Sequence, residues 1–276
     1  MSLSWRNRLL IGLELNQVVT VQFEGIKKLV SHQQYTNFTN SSPALSWRQA
    51  LKELQQTLSS SKRFEKSELH VVLASDFVRY LALPAHENVV RQSDKVDFAR
   101  AAYREIYGDI AENWHIKCDD AAPSLTSIAI GVDVELIEAF STLSKEHNLQ
   151  LTSVQPYLMP VFNRIKQQLK TGQLYFAVVE SNRILFASLK NGCWQQIRSF
   201  LLEPDWHTQV KHIVQRENIA TDSQSEQVLM VYAPHNNKGS LPHLEGWQVK
   251  PVYIENRWIK NKTESQHYVV LDAAKW

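Results

Sequence analysis

The chain has 276 residues, of which 43% are apolar and 21% charged, and a formal net charge of +2. That length accommodates two ordinary domains, and the composition supports packed cores, which excludes disordered and low-complexity classes. The near-neutral charge argues against the concentrated basic face of a nucleic-acid binder, and two distant cysteines, Cys118 and Cys193, argue against a disulfide framework or zinc cluster.

Near the start, the apolar run 9–13 breaks at Glu14, too short for a signal-peptide core. Nowhere does a run approach the roughly 20 apolar residues of a membrane span. The expectation is a soluble cytoplasmic protein without direct membrane insertion. Residues 8–15 and 18–23 read as strands, because Thr20 and Gln22 alternate with apolar positions in the second. Between them Asn16-Gln17 reads as a tight turn that lacks the favoured glycine. A third strand, 27–32, follows Glu24-Gly25 and completes a β-meander. The polar stretch through Asn40 and Pro43 then leads to a helix. There Ser46 and Gln49 fit a capping box, and Trp47, Ala50, Leu51, Leu54 and Leu58 share one face.

Residues 69–74 have the apolar run of a buried strand, and 77–83 form another that closes at Pro84-Ala85. A helical pattern over 96–106 follows Asp94 as its cap, and 114–117 and 126–132 read as strands. Asp133 is the N-cap of a helix over 134–147 that carries Leu136, Ile137, Phe140 and Leu143 on one stripe. A strand at 151–154 and a helix over about 157–170 follow, the latter grouping Leu158, Phe162, Ile165 and Leu169.

At Thr171-Gly172 the pattern restarts. Strands at 173–179, 183–190 and 194–200 are joined by Glu180-Ser181-Asn182 and by Asn191-Gly192, a strong hairpin signal. A helix with Trp206, Val210, Ile213 and Val214 on its apolar face comes next, then strands at 226–232 and 247–253. The last segment, 263–276, is expected to be a helix, with a strand at 268–271 as the alternative. The expected fold class is therefore α/β. Two βββαβα domains, 1–170 and 171–276, follow one another, with an α/β insertion at about 75–120 in the first.

Particular residues accompany that duplicated order. Arg8-Leu9-Leu10-Ile11-Gly12-Leu13-Glu14-Leu15 stands where a first strand would end in a Gly-Ile-Asp-Ile-Gly type turn. Leu83-Pro84-Ala85 precedes the helix at 96–106 and Trp114-His115, and Ile128-Ala129-Ile130-Gly131, Leu149 and Val154-Gln155-Pro156-Tyr157-Leu158 follow in order. With these residues the chain resembles the actin-like (ribonuclease H-like) ATPases. Within them it is similar to the family of the type IV pilus assembly protein PilM, the MshI proteins of mannose-sensitive pilus biogenesis, and the cytoplasmic part of the type II secretion protein GspL.

The resemblance implies two phosphate-binding turns and an adenosine-side turn, and this chain departs from all three. Such turns need glycine, which has no side chain and adopts positive φ, so that backbone can approach phosphate. Here the first reads Glu14-Leu15-Asn16, the second Glu180-Ser181-Asn182, and the third Ala233-Pro234-His235. Glu14, Asn16, Glu180, Asn182 and Ala233 thus mark a degenerate nucleotide site. No cofactor is expected, ATP included, and no catalytic residue is assigned. The resemblance implies an adaptor recruited to the inner face of the inner membrane. Its partner would be an inner-membrane pilus or secretion protein, bound through a short cytoplasmic tail in a cleft of the first domain; an assembly ATPase is a further candidate. The rival reading is an ATPase or small-substrate kinase of the same fold, and a third is an unrelated α/β protein.

No other constellation competes. His207 and His212 are five apart on a helix, turned about 140° from one another, so they cannot share a metal. No metal site is expected. A G-x-S-x-G elbow and a phosphate-binding loop ending in Gly-Lys are both missing. Arg104-Glu105 and Asp119-Asp120 read as solvated surface. Of the eight tryptophans, Trp47 and Trp206 belong on apolar helix faces, whereas Trp5, Trp258 and Trp276 are candidates for exposed contact residues.

Overall fold

The computed structural model of the chain describes residues 6–25, 29–39, 46–166, 172–219, 227–236, 241–254 and 265–273. Three sheets organise it. The first contains β1 (Arg8–Leu13), β2 (Gln17–Glu24), β3 (Leu29–Asn37), β4 (Glu68–Leu73) and β8 (Gln150–Pro156), in the order β3-β2-β1-β4-β8. The three opening strands are antiparallel, and β1, β4 and β8 run parallel. The second sheet, of β9 (Gln173–Val179), β10 (Arg183–Lys190), β11 (Cys193–Leu201), β12 (Gln227–Tyr232) and β13 (Trp247–Pro251), has the equivalent order β11-β10-β9-β12-β13 with the same pairing directions. A three-stranded antiparallel sheet, β5 (Val78–Leu83), β7 (Ser127–Asp133) and β6 (Trp114–Cys118) in that order, is inserted between β4 and β8. Its central strand lies beyond the 75–120 segment, so the added sheet closes only at Asp133.

Period-2 alternation explains how the second sheet packs. Tyr175, Ala177 and Val179 of β9 face helix α5 (Trp206–Ile219) through Trp206, Val210, Ile213 and Val214. Leu174, Phe176 and Val178, on the opposite face, join the main core. There they meet α4 (Leu158–Ile165), the helix that leaves the first sheet: the Phe162 and Trp194 rings lie 4.5 Å apart, and the Tyr157 hydroxyl donates to that of Tyr232 at 3.4 Å. The exchange is reciprocal. The terminal helix α6 (Val269–Asp272) packs on β1 and β4 of the first sheet, and Arg164 of α4 donates through Nε to the Ala273 carbonyl at 3.1 Å. Gly12 permits this docking, since a Cβ there would fall 2.1 Å from Val270 Cγ1. The remaining helices of the first half, α1 (Ser46–Ser59) and α3 (Val134–Glu146), bury Ala50, Leu54, Leu58, Leu136 and Phe140 against β2 and β8. The inserted sheet sends Val78, Tyr80, Ile128 and Val132 into the main core. Its other face is capped by α2 (Gln92–Tyr107), where Ala99 and Tyr103 meet Leu83, Trp114 and Ala129.

Several boundaries differ from expectation for identifiable reasons. β3 runs on to Asn37, although Gln33, Gln34, Thr36 and Asn37 supply no apolar alternation; an edge strand needs only one partner and little burial. Helix α2 begins at Gln92, so Asp94 lies within its first turn, where its carboxylate accepts the Arg91 N–H at 3.3 Å. Asp133 caps α3 as expected, accepting from the Glu135 N–H at 2.9 Å. Asn191 and Gly192 have φ of 52° and 78°, the mirror-image turn that their hairpin requires. The terminal segment is a short 3-10 turn at Ser265–Tyr268 followed by α6. Trp5, Trp258, Trp276 and the Ser46 side chain lie outside the described residues.

Candidate functional site between the halves

Both sheets end their first strand on a glutamate. Glu14 follows β1 and its N–H closes a tight turn on the Gln17 carbonyl at 2.9 Å; Glu180 follows β9 and does the same to Arg183 at 2.8 Å. The next strands reinforce both turns. Phe38 N–H donates to the Asn16 carbonyl at 3.0 Å, and Leu202 N–H to that of Asn182 at 2.9 Å. Neither Asn16 nor Asn182 has a positive φ. The turn between β1 and β2 closes as four residues in an ordinary backbone, which is why it does not need the glycine that a two-residue turn favours.

A third turn completes the site. Ser75–Phe77 follows β4, one strand over from β1, and carries Ser75 and Asp76. The Ser75 N–H and hydroxyl donate to the two carboxyl oxygens of Glu180, at 2.8 and 2.5 Å. Ser181 donates to Glu14 at 2.9 Å, while Asn182 and Arg183 donate to Asp76 Oδ1 at 2.7 and 3.1 Å. Glu14 is 5% and Glu180 4% exposed. Burial is the main reason that the Glu14 carboxyl is pushed up to about 7 and that of Glu180 to about 8, the nearby Asp76 adding to both.

Outside this seam lies a cavity of about 420 Å³ between the halves, lined by Glu14, Asn16 and Gln17 on one side, Ser181 and Asn182 on another, and His235 and His267. His267 stacks on Tyr35 at 3.9 Å and meets Gln17 Nε2 through Nδ1 at 3.0 Å. Of the five residues expected at the nucleotide turns, Glu14, Asn16 and Asn182 therefore come together around the cavity. Glu180 is turned inward to Ser75, and Ala233 packs against the α5 side of the second sheet. Sequence reasoning missed Ser75, Asp76, Arg183 and His267. Ser75-Asp76 directly follows the buried run of β4, and polar residues at the carboxyl end of a parallel strand are the signal that could have found them. Among the described residues no group of three or more His, Cys, Asp or Glu is arranged to hold a metal ion.

A second cleft belongs to the first half alone. It is about 380 Å³ and lies between β8, the outermost strand of the first sheet, and the inserted sheet. Leu151 and Val154 of β8 face Ile130, Val132 and Ile137 across it, with His115 and Lys117 of β6 at its rim.

No protein-family model matches the chain, and no curated protein matches its sequence. Solved structures do. A Bacteroides thetaiotaomicron protein with an actin-like ATPase fold and unknown function superposes with a TM-score of 0.58 at 11% identity, covering 84% of each chain. The chain thus has the actin-like ATPase fold. Two further neighbours match over more of the chain. The cytoplasmic domain of EpsL, an inner-membrane component of the type II secretion system of Vibrio cholerae, matches with a TM-score of 0.55 at 11% identity over 98% of this chain and 96% of that one. A chain of the PilM–PilN type IV pilus biogenesis complex matches at 0.58 and 11% identity, over 98% and 97%. No helix among the described residues is long and apolar enough to cross a membrane.

Proposed function

We propose that the chain is a non-catalytic scaffold of a type IV pilus or type II secretion assembly platform, one that acts by binding an inner-membrane partner. The observation that carries this reading is the chemistry of the two turns. In an ATPase of this fold the turns would present backbone N–H groups to phosphate. Here the N–H groups of Glu14 and Glu180 are spent on the carbonyls of Gln17 and Arg183, and the donors of the seam are already taken up by its three carboxyl groups. Among the described residues the arginine that contacts the seam, Arg183, is already paired with Asp76, which leaves it no free charge to neutralise a polyphosphate. The resemblance to EpsL and to the PilM–PilN complex over nearly the full chain supports the choice of assembly system.

The cleft beside β8 is where we place the partner. Among the described residues β8 pairs only with β4, which leaves its outer edge open to strand addition, and the apolar floor beneath would accept alternate side chains of an extended tail. A short cytoplasmic tail of a single-span membrane protein fits this geometry. Ordering such a tail costs free energy, so the affinity should be on the order of micromolar, with the membrane raising the effective concentration.

Two measurements test the reading. Hydrogen exchange with tail peptides of inner-membrane pilus and secretion proteins should protect residues 150–156 and the inserted sheet; protection confined to the second half overturns the assignment. Mg-ATP should neither be hydrolysed nor stabilise the protein. A bound ligand at about a hundred times its Kd would add about 2.7 kcal/mol, a readily measured shift. Such a shift would favour the rival ATPase or kinase.

A further inference from the structure

The seam between the halves also has an arrangement that neither a scaffold nor an ATPase requires. Glu14, Asp76 and Glu180 come from three different turns, and the hydrogen bonds of the seam run from the opposite half onto each of them. The charged and titratable groups facing them are Arg183, Arg79, Tyr80 and, across the cavity from Glu14, His235 and His267. Arg183, from β10, contacts Asp76. Arg79, from β5, directs its guanidinium to the backbone carbonyls of Asp76 and Val78, and the Tyr80 hydroxyl meets Ser75. Among the described residues Glu14 and Glu180 have no ion-pair partner. Glu14 Oε1 and Asp76 Oδ2 are buried with no hydrogen-bond donor. A buried carboxylate oxygen without a donor is costly, whereas the same oxygen in a neutral carboxylic acid is tolerated far better.

We propose that this seam is a proton-held latch: Glu14 and Glu180 join the two halves as neutral carboxylic acids, and release of their protons to solvent opens the cleft between them. With both ionised, the seam would hold three carboxylates against one contacting arginine in a low-dielectric environment. The helices exchanged between the sheets, α4 and α6, keep the halves tethered when the seam parts. The directions agree with the geometry, since burial raises Glu14 to about 7 and Glu180 to about 8 from the ordinary 4.5. Because the closed form then binds more protons than the unfolded chain between about pH 4.5 and about pH 8, stability is fullest below that window and falls as pH rises through it.

The test uses the full chain, comparing small-angle scattering and melting at about pH 6 and about pH 9 with those of an E14Q/E180Q variant, whose amides keep an acceptor oxygen and cannot ionise. The wild type should expand and melt roughly 5–10 °C lower at the higher pH, while the variant stays compact with little change. A wild type equally compact at both values overturns the latch, as does a variant that retains the wild-type pH dependence. An infrared titration of the wild type alone gives a reading that does not depend on the variant folding. Buried protonated carboxyl bands should be present at the lower pH and lost at the higher, and their absence at the lower pH overturns the proposal.

Discussion

The two halves share strand order, strand direction and even the hydrogen bonds of their first turn, yet they complete their cores differently. In the second half α5 covers one face of the sheet, and the other face is closed by α4, which the first half contributes. In the first half α1 and α3 are its own, the second half returns α6 onto β1 and β4, and a whole additional sheet is inserted. The duplicated unit is thus not self-sufficient on either side. Each half closes a surface of the other, and the first half carries a cleft of its own beside β8.

The largest test of this mutual dependence is Leu158→Ala. Leu158 is fully buried at the start of α4 in the core shared with the second sheet, so the truncation should cost about 3–4 kcal/mol. Urea unfolding should remain a single transition, because loosening the exchanged helix weakens both halves together. Two separated transitions would break the comparison. Gly12→Ala probes the returning helix. With Val270 Cγ1 only 2.1 Å from the new methyl group, it should cost about 2–3 kcal/mol, and a second change, Val270→Ala, should recover a good part of it.

A smaller effect is expected at the seam. Asp76→Asn removes an ion pair with a largely buried Arg183 and should cost about 2 kcal/mol. Asp76 also raises Glu14 and Glu180, so in its absence both titrate lower and the fall of stability with rising pH becomes shallower. Denaturation at two pH values checks both statements. The smallest effect contrasts two hairpin turns. Gly192→Ala should cost about 1 kcal/mol, because φ is 78° there. Asn16 has no positive φ, so Asn16→Gly gains no strain relief and should lose about 0.5 kcal/mol through unfolded-chain entropy. Equal effects at the two positions would show that the turns are alike after all.

Legibility followed the strength of the local signal. β9 and β10 lie at 173–179 and 183–190, as their apolar runs and the Asn191-Gly192 turn indicate, and Asp133 caps α3 in the manner its position predicts. The polar end of β3 was not legible, because an edge strand needs no buried face. At the candidate site, the missing glycines of the three turns were visible in the sequence, and so was the doubling of Glu14 and Glu180. Ser75 was not. Its role depends on Glu180, 105 residues away, and no spacing rule connects them.

Alternating apolar residues and turn chemistry are properties of neighbouring residues, so the sequence by itself determined the strands, the main helices and the repeated order of the two halves. It also determined that the turns after β1 and β9 lack glycine. Only the tertiary structure decided which half each connecting helix would cover, because α4 and α6 have apolar faces that would satisfy either sheet. It likewise decided that the two glutamates turn inward to donors from the opposite half. Burial of a carboxyl group, and the choice between proton and charge that follows, arises from what packs around it, and those neighbours are distant in the chain.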